Sequence, residues 1–141
     1  MNEQEIKQAL STLELYRAQA ESLAEQQQLI QMSLEEYTRA RETLSKWKGA
    51  EPGSEILVPV GGNSFVFAKV AINDKALVGI GSGVTIERPL DEALVTMEGR
   101  IKEMVEASKK IAENMVMLES RSSNLTQMVQ AEYDRLQQQQ R

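Results

Sequence analysis

The chain has 141 residues, contains neither histidine nor cysteine, and carries a formal net charge of −5. Without these residue types it lacks the commonest general base, thiolate nucleophiles and the commonest metal ligands, so we expect no catalytic residue, metal site or cofactor. Acidic and basic residues are mixed along the chain, and no basic patch predicts binding to nucleic acid or to a membrane surface. The polar N-terminus and short apolar runs predict a single-domain cytoplasmic protein without a signal peptide or membrane span.

The first predicted element is a helix over residues 3–48, which are rich in good helix formers. Apolar residues recur every three or four positions, the spacing of a coiled-coil seam. Two consecutive steps of three at Leu13 predict a stammer, a local overwinding of the coil. Gln27 and Arg41 are polar seam positions that can fix the register, and Trp47 is expected to pack against the segment that follows. The predicted seam consists of Ile6, Leu10, Leu13, Tyr16, Ala20, Leu23, Gln27, Ile30, Leu34, Tyr37, Arg41 and Leu44.

Residues 49–88 form a contrasting segment that holds seven of the eight glycines. Short runs rich in β-branched and aromatic residues predict four strands, at 55–60, 64–70, 75–80 and 84–88. The sequences Gly-Gly-Asn at 61–63 and Gly-Ser-Gly at 81–83 predict the turns of two β-hairpins.

The last predicted element is a helix over residues 89–138, which begins with Pro89 and two acidic residues, as helix N-termini prefer. Its apolar residues follow a heptad repeat through six heptads, which predicts a coiled coil. The predicted seam consists of Leu90, Leu94, Met97, Ile101, Met104, Ser108, Ile111, Met115, Leu118, Ser122, Leu125, Val129, Glu132 and Leu136.

These elements predict an α+β chain that is mostly α, with two β-hairpins between the helices of a long antiparallel two-helix coiled coil. Facing residues should have numbers that add up to about 137, because both helices rise equally per residue. Isolated hairpins are marginal in water, and these are too apolar for two helices to cover. We therefore expect several subunits to close the hairpins into an inter-subunit β-barrel. The predicted interface residues are Ile56, Val58, Val60, Phe65, Phe67, Val70, Leu77, Val78, Ile80, Val84 and Ile86.

Over nearly its whole length, the chain resembles an α-class prefoldin subunit of the archaeal type. The resemblance is carried by the stretches VPVGGNSFVFAKV and DKALVGIGSGVTIERP between two long helices. It implies a hetero-hexamer with β-class prefoldin subunits, two α and four β, whose hairpins form a double β-barrel that carries six coiled coils. It further implies capture of unfolded proteins at the coil tips without ATP, and delivery of these clients to a group II chaperonin.

The resemblance offers no short client-binding motif, so candidate client contacts follow from position and register near the chain termini. Methionine adapts to many partners and is frequent on promiscuous binding surfaces, although such residues are also ordinary gap-fillers. The candidate client-binding residues are Ile6, Leu10, Leu13, Leu15, Met117, Leu125, Met128 and Val129.

Two other functions compete with a chaperone role. A structural coiled-coil scaffold would bind one specific folded partner in a fixed stoichiometry. An enzyme or nucleotide-dependent switch would need a phosphate-binding loop, which Gly-Ile-Gly-Ser-Gly at 79–83 does not supply, because a strand follows it and no lysine is suitably placed.

Overall fold

The computed structural model describes residues 2–140, which form two long antiparallel helices packed together, with two β-hairpins between them. This arrangement confirms the predicted order of helices and hairpins. The elements are α1 (Glu3–Gly49), β1 (Glu55–Gly61), β2 (Ser64–Lys69), β3 (Lys75–Gly81), β4 (Val84–Pro89) and α2 (Leu90–Gln139). No helix within residues 2–140 has an apolar stretch long enough to cross a membrane.

The first turns of both helices are stabilised by hydrogen bonds and by acidic side chains. At the start of α1, the Glu5 N–H donates to Asn2 Oδ1 at 2.8 Å and the Asn2 N–H donates to Glu5 Oε2 at 3.3 Å. This reciprocal pair is a capping box. Helix α2 begins directly after β4, and the Leu90 N–H donates to the Asp74 carbonyl at 2.8 Å. The negative charge of Asp91, in the first turn of α2, interacts favourably with the positive end of the helix dipole.

The predicted seam of α2 is confirmed over most of its length. Every seam residue from Leu90 to Glu132 is buried or half-buried, whereas most residues between them are exposed. Leu136 is the exception: it is exposed, so the seam ends before it. The packing of α2 against α1 therefore stops about two turns before the end of α2.

The predicted seam of α1 was wrong near its start. Ala9 is buried and Leu10 is exposed, so the seam runs from Ile6 through Ala9 to Leu13 and Tyr16. The steps of three and four then alternate without interruption, and there is no stammer in the described part of α1. Leu10 is the larger apolar residue, but the phase of the repeat places the smaller Ala9 against α2.

The helix pairing can be followed through single contacts. Gln27 Nε2 donates to the Ser108 carbonyl at 3.2 Å, and Arg100 Nη1 donates to the Tyr37 hydroxyl at 2.7 Å. The residue numbers of both pairs add up to within two of the predicted value of about 137, so the antiparallel register is confirmed at these positions.

Each hairpin is a separate two-stranded antiparallel sheet with a two-residue turn. In the first turn, Gly62 and Asn63 both have φ of 56°, and the second turn has φ of 52° at Ser82 and 74° at Gly83. Two consecutive positive φ values are the mark of a type I′ turn, which matches the twist of the flanking strands. The predicted three-residue turns were therefore one residue too long: Gly61 belongs to β1 and follows a register shift after Pro59.

The described residues divide into two compact units, which we describe separately. The unit of residues 2–31 and 106–140 is a pair of helical segments. Its buried apolar residues are Ile6, Ala9, Ile111, Leu118 and Val129.

The unit of residues 32–105 contains both hairpins and the adjoining helical segments. Its buried residues are Val70, Val78, Leu90 and Ala93, which come from the end of the first hairpin, the second hairpin and the start of α2. This small core covers few of the apolar side chains on the strands.

Candidate functional site

One candidate site is the end of the helix pair that contains the start of α1 and the end of α2, which we call the tip (residues 2–18 and 117–140). Four predicted client-binding side chains there are exposed, each with between 41% and 57% of its surface accessible. These four, which we call the tip residues, are Leu10, Leu15, Met117 and Met128.

The other four predicted client-binding residues lie between the helices. Ile6 and Val129 are buried together with Ala9, and Leu125 packs against this cluster while partly exposed. Leu13 is half-buried in the seam. In this structure these side chains hold α1 against α2.

Three of the tip residues lie on one flank of the helix pair. Leu15, Met117 and Met128 each directly precede a seam residue, and antiparallel helices place such positions on the same side. A groove between the helices supports this placement, since Gln19 of α1 and Met117 of α2 both line it. Leu10 follows a seam residue and lies on the opposite flank.

Arg135 and Glu132 form an ion pair within the tip. Arg135 donates to Glu132 Oε2 from Nη2 at 3.0 Å and from Nε at 3.3 Å. These hydrogen bonds stabilise the carboxylate and lower the pKa of Glu132 below its ordinary value. Glu132 occupies a seam position after the last buried apolar residue of the seam, so this ion pair lies where the apolar packing between the helices ends.

The second candidate site is the surface of the two hairpins. Among the predicted interface residues, Val70 and Val78 are buried within this chain and contribute to its own core. Ile56, Val58 and Ile86 are half-buried. The exposed members are Val60, Phe65, Phe67, Leu77, Ile80 and Val84.

The register of the first hairpin shows which of these side chains share a face. Phe67 pairs with Leu57, and Phe65 pairs with Pro59. Directly opposed residues point to the same side of a sheet, so Leu57 belongs to the face of both phenylalanines and Val58 to the other. Leu57 and Val66 are both exposed. In the first hairpin the predicted interface residues alternate along β1 and β2, so Leu57 and Val66 were not among them, although both faces carry exposed apolar side chains.

Hydrogen bonds attach the hairpins to the end of α1. Trp47 Nε1 donates to the Ile72 carbonyl at 2.6 Å, and Asn73 Nδ2 donates to the Ala50 carbonyl at 3.1 Å. Trp47 therefore contacts the hairpin segment, as its position predicted. No sequence pattern indicated the role of Asn73, because its partner is a backbone carbonyl 23 residues away.

Together, the described residues present exposed apolar side chains at the tip and two small sheets whose outer strand edges are unpaired. Such surfaces bind and assemble with other proteins. The class defined by this fold is a two-helix coiled-coil protein with two β-hairpins between its helices.

Comparison with known proteins identifies the family. Residues 16–139 match the family model described as Prefoldin subunit, and the chain belongs to the prefoldin family. Within that family, it is an α-class subunit of the archaeal type. Prefoldin is a family of non-enzymatic chaperones, so the chain is not an enzyme.

The relatives support this assignment over most of the chain. Prefoldin subunit alpha of Methanothrix thermoacetophila is 38% identical over 109 residues, which cover 77% of this chain and 71% of the relative. Prefoldin subunit alpha of Pyrococcus horikoshii is 35% identical over 130 residues, which cover 92% of this chain and 88% of the relative. The cryo-EM structure of filamentous PFD from Methanocaldococcus jannaschii has a TM-score of 0.64 and 26% identity, with 82% of this chain and 96% of that chain covered.

Proposed function

We propose that this chain is the α subunit of an ATP-independent holdase that binds unfolded proteins at its coiled-coil tip and delivers them to a group II chaperonin. The observation that carries the proposal is the set of four exposed apolar tip residues on a chain of the prefoldin family. As a partner of a chaperonin, it would act in the cytoplasm.

The proposed mechanism is weak apolar contact repeated over several tips. Leucine and methionine side chains adapt to different client surfaces, so they suit clients with no common sequence. A single tip offers little apolar area, but several tips around one cavity raise the effective concentration for a client that has bound one of them. The buried cluster of Ile6, Ala9 and Val129 keeps the helices together during these contacts.

We further propose that the hairpins join this chain to β-class subunits. Leu57, Phe65 and Phe67 form an exposed apolar face on the first hairpin, and Leu77 is exposed on the second. The strand edges also carry backbone groups that can pair with another chain. An inter-subunit β-barrel in a hexamer of two α and four β subunits would bury these apolar side chains and pair these backbone groups. The coiled coils would project from this barrel.

The client-binding proposal can be tested by removing apolar character at the tip alone. The tip variant carries glutamine in place of Leu10, Leu15, Met117 and Met128. The control variant carries glutamine in place of four exposed apolar residues outside the tip, namely Leu29, Met32, Val95 and Val105. Each variant is assembled with a β-class subunit and compared with the original complex for suppression of aggregation of several unrelated denatured proteins.

We expect the tip variant to need a concentration higher by about tenfold for half-maximal suppression, because the apolar area that clients would cover has been lost. The control variant should behave as the unmodified complex. Equal suppression by the tip variant would refute the assignment of these residues. Failure of the unmodified complex to suppress any aggregation, together with binding of one folded protein, would instead favour the scaffold function.

The assembly proposal is tested by the mass of the complex formed with a β-class subunit. Serine in place of Leu57, Phe65 and Phe67 should abolish or weaken the complex, because it removes the exposed face of the first hairpin. The tip variant provides the matched control and should assemble normally. A complex of unchanged mass with the serine variant would show that the interface with the β-class subunit does not depend on this face.

A further inference from the structure

We propose that Met117 and Met128 form an oxidation-sensitive pair, through which a peroxide weakens client binding at the tip; this inference rests on the proposed function. Half of the surface of each side chain is accessible: 53% at Met117 and 54% at Met128. Both are members of the four tip residues, whereas the two leucines of that set cannot be oxidised in this way.

The structure divides the methionines of the described region into groups with different accessibility. Met97, Met104 and Met115 occupy seam positions and are half-buried. Met32, Met117 and Met128 are exposed, and Met32 lies outside the tip. Oxidation of methionine follows access of the oxidant to the sulfur, so the three exposed residues should react first.

The chemistry needs only a hydroperoxide. Hydrogen peroxide transfers one oxygen atom to the thioether sulfur, the O–O bond breaks, and the remaining oxygen leaves as water. The sulfur loses two electrons and becomes a sulfoxide, while the peroxide is reduced. No carbon–sulfur bond breaks, and the product can be returned to methionine by methionine sulfoxide reductases.

The location of the pair explains why oxidation would affect binding more than folding. Met117 and Met128 lie on one flank, each beside a buried seam residue, Leu118 and Val129. The sulfoxide is strongly polar, so it removes apolar character from a surface that clients would have to cover. The seam itself keeps its side chains, and the helix pair should therefore remain folded.

The experiment uses the full-length chain, treated with hydrogen peroxide, freed of peroxide with catalase, and then assembled with an untreated β-class subunit. Three proteins are compared: the unmodified chain, Met117→Leu with Met128→Leu, and Met32→Leu as the matched control. Mass spectrometry of peptides measures the sulfoxide at each position, and circular dichroism and the mass of the complex measure folding and assembly. Suppression of client aggregation is the functional readout.

We expect Met32, Met117 and Met128 to oxidise before the seam methionines. The treated unmodified chain and Met32→Leu should need a protein concentration higher by about fivefold for half-maximal suppression, given the apolar area lost at two side chains. Peroxide should leave suppression by the double leucine variant equal to that of the same variant before treatment, and methionine sulfoxide reductase should restore the unmodified chain to its own untreated value. Restoration distinguishes a polar switch from irreversible damage and does not depend on any variant.

Three results would overturn the inference. The first is full activity of the unmodified chain with sulfoxide present at both positions, and the second is equal loss in the double leucine variant. The third is faster oxidation of the seam methionines than of the tip pair. A complex that fails to suppress aggregation before any peroxide is added would refute the proposed function itself, so the two failures are distinguishable.

Discussion

Replacing Gln27 with leucine should stabilise the helix pair. Gln27 Nε2 donates to the Ser108 carbonyl at 3.2 Å, but Oε1 is shielded from solvent and has no hydrogen-bond partner among residues 2–140. A buried polar atom without a partner costs about 1–3 kcal/mol, and one hydrogen bond contributes about 0.5–1.5 kcal/mol. Leucine loses the bond, removes the unpaired oxygen and adds apolar contact. We therefore expect the free energy of unfolding to rise by about 1 kcal/mol, and Tm by about 4 °C.

The assay is urea and thermal unfolding followed by circular dichroism, at one fixed chain concentration because assembly would shift the transition. Gln28→Leu is the matched control, since it makes the same chemical change at an exposed neighbouring position. Its effect should stay within about 0.5 kcal/mol. A Gln27→Leu variant that is no more stable than the Gln28→Leu variant would refute the argument that the unpaired Oε1 weakens this layer of the seam.

Three further predictions concern the junction, the tip core and the tip charges. Trp47→Phe should lower the free energy of unfolding by about 1 kcal/mol in urea denaturation followed by circular dichroism, because it removes the hydrogen bond to the Ile72 carbonyl. Ile6→Ala should cost about 2 kcal/mol in the same assay by opening a cavity in the tip core; no loss would mean that this end of the pair is not packed. Replacing Arg135 with glutamine should raise the pKa of Glu132, as followed by NMR titration of its carboxyl group. Since the pKa of Glu132 is lowered in the folded chain, its pairing with Arg135 stabilises the folded chain at pH values above the pKa of Glu132 in the unfolded chain. This contribution is lost as the pH falls through the pKa of Glu132 in the folded chain.

Much of the fold was predictable because its signals are local and repeated. The heptad pattern of α2 identified the buried side of the helix from Leu90 to Glu132, since each turn gives independent information on the same phase. The paired glycine-containing turns indicated hairpins in the same way. In α1 the pattern failed at one place, because Leu10 is more hydrophobic than Ala9 and residue type alone could not show which one faces α2.

The candidate sites were less predictable, since they depend on what other parts of the chain cover. Val70 and Val78 appear equivalent to Val60 and Val84 in the sequence, yet the first two are buried in the chain's own fold and the others are exposed. The pairing of Phe67 with Leu57 depends on the strand register, which the bulge after Pro59 alters near the turn. Leu15, Met117 and Met128 were predicted from their positions outside the seam, whereas Leu10 was assigned to the seam and is exposed. Ile6 and Val129 were predicted as client contacts in the same way as these residues, although they are buried between the helices.

The two ends of the hairpin segment are joined to the helices in different ways. Five residues separate the end of α1 at Gly49 from β1, but β4 ends at Pro89 and α2 starts at Leu90 with none between. Because β4 continues directly into α2, there is no flexible linker between them that could absorb bending. In the proposed assembly, a tilt of the second hairpin would therefore pass along the backbone directly into the first turns of α2. It would reach α1 only through the five-residue linker and the hydrogen bonds of Trp47 and Asn73.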